Sequence, residues 1–154
     1  MSIAPVTCSV DVKVSRSRAF ELFAQNMGEW WPRGRTPSGK PHAELIIEPR
    51  TNGRWFERDE DGEETQWGKV LAWEPPGRLL LGWQLDHKLR FDAALLMEVE
   101  IRFEELTAGA TRVSLEHRGL EQLGVEARMF AEKVRSGWPE RLKDFVQHTH
   151  ARSE

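Results

Sequence analysis

The chain has 154 residues, 39% hydrophobic and 31% charged, and its 22 Lys and Arg against 25 Asp and Glu leave a formal net charge of −3. One globular domain over residues 1–154 fits this size, with a core that needs neither a disulfide nor a structural metal. The acidic balance argues against nucleic acid, and an apolar run no longer than Ala93 to Met97 argues against a membrane span, which takes roughly 20 apolar residues.

The N-terminus lacks a charged segment followed by an apolar one, so the cytoplasm is the expected compartment. Val6, Cys8, Val10, Val12 and Val14 then alternate with polar residues, which predicts a half-buried strand over 5–14. Cys8, the only cysteine, is expected in the core, since nothing nearby would make its thiol reactive. Ser15 is a helix cap candidate before Ala19, Phe20, Leu22 and Phe23, which share a helical face up to about Gln25. A short helical turn follows over Met27 to Trp31, and Pro32, Gly34, Pro37, Gly39 and Pro41 make the next segment a loop. Its basic residues Arg33, Arg35 and Lys40 are too sparse for a phosphate backbone.

Strands are expected at 43–48, 53–58, 65–74, 78–85, 95–105 and 110–118. The clearest sets Leu95, Met97, Val99, Ile101 and Phe103 on one face against Leu96, Glu98, Glu100, Arg102 and Glu104 on a wet one. Turns such as Asp61-Gly62, Pro76-Gly77 and Ala108-Gly109 make the set an antiparallel meander. Trp138, Leu142, Phe145, Val146 and Thr149 recur at helical spacing and supply the cover for its apolar face. A helix is expected from about 125 to 149, disturbed near 137–139 by Pro139. The fold class is therefore α+β: a curved antiparallel sheet closed by a long C-terminal helix, an arrangement that commonly leaves an internal cavity. Seven Trp and seven Phe without any Tyr must either fill that core or line the cavity.

Several blocks in this order resemble a known family. They are Val10-x-Val12, Ala19-Phe20-x-Leu22-Phe23, Trp30-Trp31, Gly53-Arg54-Trp55, and Gly68-Lys69-Val70-Leu71-x-Trp73-Glu74-Pro75-Pro76-x-Arg78-Leu79 leading to Trp83. Gly109-x-Thr111-x-Val113-x-Leu115-x-His117 and Gly137-Trp138-x-x-x-Leu142 complete the set. The chain is similar to the START-like superfamily, also called SRPBCC or the birch-pollen-allergen fold. Within it the resemblance is to the heat-shock-protein-90 ATPase activator homologue family, in its single-domain bacterial form. That resemblance implies a helix-grip fold and a hydrophobic cavity for apolar or aromatic small molecules, without a fixed catalytic set.

The candidate ligand-binding residues are Trp30, Trp31, Trp55, Trp67, Trp83, Met97, Val99, Leu115, His117, Trp138, Arg141 and Leu142. Indoles offer a flat apolar face and one N–H donor, and Met97 and Val99 are expected as wall. His117 is in phase with Thr111, Val113 and Leu115, so its imidazole points inward, as a core residue, a ligand contact or a general base. Arg141 lies at the edge of the apolar helix stripe, where it is either solvated or within reach of a ligand carboxylate. The run Asp59-Glu60-Asp61-Gly62-Glu63-Glu64 is expected as a solvated hairpin tip: with Gly62 on the glycine position of a calcium loop, Gly68 would fall where a bidentate Glu is needed. Glu98 and Glu100 are expected to serve solubility, and His148 and His150 do not share a helix face. No phosphate loop, serine nucleophile elbow or Cys/His metal spacing is present, so no cofactor and no metal are expected.

The expected function is binding of a small hydrophobic or aromatic ligand between sheet and helix. The alternatives are an enzyme of cyclase or hydrolase type with His117 as acid/base, and a chaperone-related interaction module. A homodimer and a chaperone are the protein partners left open.

Overall fold

The computed structural model describes residues 2–152. The chain runs β1 (Val6–Val12), α1 (Arg16–Phe20), α2 (Met27–Trp30), β2 (His42–Ile47), β3 (Arg54–Asp59), β4 (Glu64–Glu74), β5 (Arg78–Trp83), β6 (Met97–Thr107), β7 (Ala110–Arg118) and α3 (Ala127–Arg152). All seven strands form one curled antiparallel sheet in the order β1-β7-β6-β5-β4-β3-β2. Short turns and the longer loop over 84–96 join β2 to β7 in sequence as a meander, and β1 closes the far edge on β7. Among the described residues no helix is long and apolar enough to cross a membrane.

Local chemistry explains the boundaries. The Ser15 hydroxyl accepts the Arg18 N–H at 3.2 Å and starts α1, which widens into one π-type turn over Glu21–Gln25. β5 ends at Trp83, two residues before the expected strand end, and β6 starts at Met97 rather than at 95. The reason is the loop between them: the Asp86 carboxylate accepts the Lys88 and Arg90 N–H groups at 2.9 Å each, and Leu89 takes a left-handed φ of 61°. At the other end, Gly124 at φ 65° kinks the 3-10 segment Leu120–Glu126 from within, and α3 starts directly after that segment, at Ala127. α3 continues as one helix through Pro139, so the expected disturbance there does not end it.

The concave face is buried by α1, α2 and α3. From α3 the inward residues are Phe130, Val134, Trp138, Leu142 and Phe145, spaced three or four apart. Six of the seven tryptophans join into one ring network: Trp31 reaches Trp30 at 5.7 Å, Trp67 at 5.2 Å and Trp138 at 5.9 Å. Trp55 bridges Trp67 at 5.2 Å and Trp83 at 5.8 Å, and Trp83 returns to Trp138 at 5.8 Å. Trp73 stands apart against Phe20 at 5.0 Å. The interior between sheet and helix is thus largely occupied by indoles.

The convex face is less wet than its charge pattern implies. Glu100, expected to serve solubility, is only 7% exposed and takes hydrogen bonds from Arg78 and Arg118 with Arg102 paired beside it. Burial raises its pKa, but the arginines outweigh that and hold the carboxyl below its ordinary value. Asp59, in the acidic run, also turns inward and accepts the Asp61 and Glu63 N–H groups at 2.9 Å, closing the β3–β4 turn. Cys8 is half-buried against the core edge, and burial pushes its thiol up to about 11.

Gly68 lies opposite Trp55 on β3 and Trp83 on β5. A Cβ there would stand 1.7 Å from the Gly82 carbonyl oxygen, so β4 and β5 approach this closely only around glycine. We expect Gly68→Ala to lower unfolding free energy by about 3 kcal/mol or to abolish folding. Urea denaturation checks this, and a change under about 0.5 kcal/mol would contradict it.

Candidate functional site

The ring network does not close the molecule completely. A cleft of about 640 Å³ opens between α3, the loop after α2 and the loop between β5 and β6. Its apolar wall is Trp31, Trp83, Leu89, Phe130, Val134 and Trp138, and its rim carries Arg35, Thr36, His87, Lys133, Ser136, Glu140 and Arg141. Gly137 lies in the same wall, and a Cβ added there would meet nothing within 4 Å.

Each wall is held in place by a specific bond. The loop after α2 is pinned by the buried Glu57 carboxylate, which accepts the Ser38 N–H at 3.2 Å, the Ser38 hydroxyl at 2.8 Å and the Trp67 indole N–H at 3.0 Å. Within that loop the Trp31 indole donates to the Arg35 carbonyl at 2.8 Å. The β5–β6 loop is stitched to the segment before α3 by Gln122, which accepts the Leu96 N–H at 2.9 Å and donates to the Leu96 carbonyl at 2.8 Å. Trp138, in the centre, donates its indole N–H to Nδ1 of His117 at 3.0 Å.

That last bond fixes the chemistry of His117. With Nδ1 accepting, the neutral ring carries its proton on Nε2, which has no hydrogen-bond partner among the described residues. The residue is fully buried between Trp83, Phe130 and Trp138, and burial pushes its pKa down to about 3. His117 is therefore a neutral acceptor at physiological pH.

Of the expected site residues, the structure brings Trp31, Trp83, Trp138 and Arg141 together on the cleft, with His117 directly behind Trp138. Arg141 is half-buried, its side chain 17% exposed, paired with Asp144 at 3.3 Å and 6.0 Å from the Trp31 ring centre. Trp55, Trp67, Met97, Val99, Leu115 and Leu142 lie in the packed core behind it. Trp30 faces away, donating to the Leu22 carbonyl at 3.1 Å and bordering a polar groove between α2, β2 and the end of α3. The sequence reading missed Phe130, Val134, Gly137, Lys133 and the loop residues Arg35, Thr36, His87 and Leu89. Phe130 and Val134 carried a signal, since they precede Trp138 by eight and four residues on one helical face. Among the described residues no group of three or more His, Cys, Asp or Glu side chains could hold a metal.

Residues 13–149 match the family described as Activator of Hsp90 ATPase homolog 1-like protein. No curated protein matches the chain. Among solved structures, an anthrahydroquino-γ-pyrone synthase determined as a complex is 34% identical, with a TM-score of 0.67 over 95% of this chain and 97% of the other. A self-sacrificing resistance protein, CalC from Micromonospora echinospora, is 28% identical, with a TM-score of 0.70 over 96% and 95%. The Aha1 dimer from Colwellia psychrerythraea shares the fold at 11% identity, with a TM-score of 0.66 over 94% of each chain.

His117→Leu leaves the Trp138 indole N–H buried without an acceptor, and we expect it to cost about 1–3 kcal/mol at pH 7. Because the folded pKa is depressed to about 3, stability linked to the neutral ring is complete above the unfolded value near 6.5 and is lost as pH falls below it. The variant should therefore lose less stability than the wild type between pH 7 and pH 5. Parallel urea titrations at the two pH values check this, and equal losses would refute the linkage.

Proposed function

Because the chain belongs to the Activator of Hsp90 ATPase homolog 1-like family, within the START-like superfamily, we propose that it binds a flat, fused-ring aromatic small molecule in the cleft beside α3. The observation that carries this reading is the wall itself: three indoles and a phenyl ring surround an opening of about 640 Å³, within the roughly 300–1,000 Å³ range of small-molecule sites. Rings held at fixed angles, Trp31 and Trp138 by indole hydrogen bonds and Trp83 and Phe130 by ring contacts, favour planar ligands, because stacking then costs little side-chain ordering. The likeness to an anthrahydroquino-γ-pyrone synthase and to a resistance protein supports the choice of ligand class, since that synthase's name denotes a fused aromatic frame.

A second reading, chemistry of cyclase or hydrolase type in the same cleft, is favoured by the 34% identity to that synthase. In that reading His117 contributes through the orientation of Trp138, because a ring that stays neutral down to about pH 3 does not donate a proton as a general acid near neutrality.

Titration with a hydroxyanthraquinone, followed by Trp fluorescence, should give saturable quenching. Gly137→Leu fills the cleft from a position with free space and also favours the helix by about 1 kcal/mol, so it should weaken binding at least tenfold without lowering Tm. Unsaturable quenching, or equal affinity in the Gly137→Leu protein, would refute the proposal.

A further inference from the structure

We infer that the ligand of this cleft is an aromatic acid, carrying an anionic group that Arg35 and Lys133 receive at the mouth while the rings occupy the indole wall. The inference rests on the reading of the cleft as an aromatic site and adds the charge of its occupant.

The loop after α2 carries three cations, and the fold treats them differently. Arg33 faces Glu60 and Lys40 faces Asp59, each at 3.8 Å, so these two bind the loop to the acidic β3–β4 turn. Arg35 makes no ion pair among the described residues. Its carbonyl is held by the Trp31 indole, and the residue lines the cleft. Across the opening, Lys133 on α3 also makes no ion pair among the described residues, and it precedes Gly137 by one helical turn. Arg141 adds a third positive charge, already balanced by Asp144.

Against Arg35, Lys133 and Arg141 the cleft presents one carboxylate, Glu140, in a chain whose net charge is −3. A cationic mouth over an apolar floor raises the local concentration of anions and holds them by charge-assisted hydrogen bonds. A neutral ring system would use the floor and leave both free cations idle.

Two probes separate the floor from the mouth: 8-anilinonaphthalene-1-sulfonate and its uncharged counterpart N-phenyl-1-naphthylamine, both of which fluoresce when buried in an apolar site. The sulfonate should bind about tenfold more tightly in 50 mM salt and lose most of that advantage in 500 mM salt, where exposed charges are screened. Arg35→Ala and Lys133→Ala, both at exposed positions, should each weaken the sulfonate two- to fivefold, and Lys133→Glu more, with the neutral probe unchanged. Displacement of either probe by a hydroxyanthraquinone locates it in the cleft. Equal, salt-insensitive binding of both probes, displaced by the anthraquinone, would overturn the anionic inference while the aromatic reading stands. Binding of neither probe would overturn both.

Discussion

The hydrogen bond from the Trp138 indole to Nδ1 of His117 is the link on which the site depends, because it ties the middle of α3 to the end of β7. His117 is paired across the ladder with Val6 on β1 and Val99 on β6, so its position is set by two neighbouring strands. Trp138 inherits that precision and passes it through ring contacts to Trp31 and Trp83, which form the cleft wall. The bond also has an electrostatic consequence. An imidazole sealed among aromatic rings is driven neutral, and a neutral ring with an indole on Nδ1 is a fixed acceptor. A general acid near neutrality must hold a proton there, and the burial that positions the wall keeps His117 unprotonated in that range.

Much of the architecture was legible because period-2 alternation and helical spacing state which side chains share a face. The alternation from Met97 to Phe103 located β6 and its buried side, and Thr111 to Leu115 placed His117 inward, as found. What alternation does not state is the partner on the opposite element. Glu100 alternates as an outward residue, yet Arg78 on β5 and Arg118 on β7 cover it, and those pairings follow from register across strands. The cleft was illegible for a related reason. Five of its fourteen lining residues come from two loops whose path depends on local caps such as Asp86, and on the long-range bond between Ser38 and Glu57, 19 residues apart.

Trp30 and Trp31 illustrate the limit at the level of adjacent residues. Both indole N–H groups meet backbone carbonyls, but Trp30 donates back to Leu22 while Trp31 donates forward to Arg35. Both rings are buried, and Trp31 also lines the cleft between α3 and the two loops. Composition alone counts the two as equivalent.

An empty cavity beneath a curved sheet is costly, because its lining forfeits packing contacts on one side. Here the indoles remove most of that cost by filling the interior, and the remaining space is displaced to an edge where water can enter. The displacement has a local cause: Gly137 contributes no side chain to α3 at the point where the loop after α2 and the β5–β6 loop face it. The cleft thus borders the tryptophan core on one side and the free space beside Gly137 on the other.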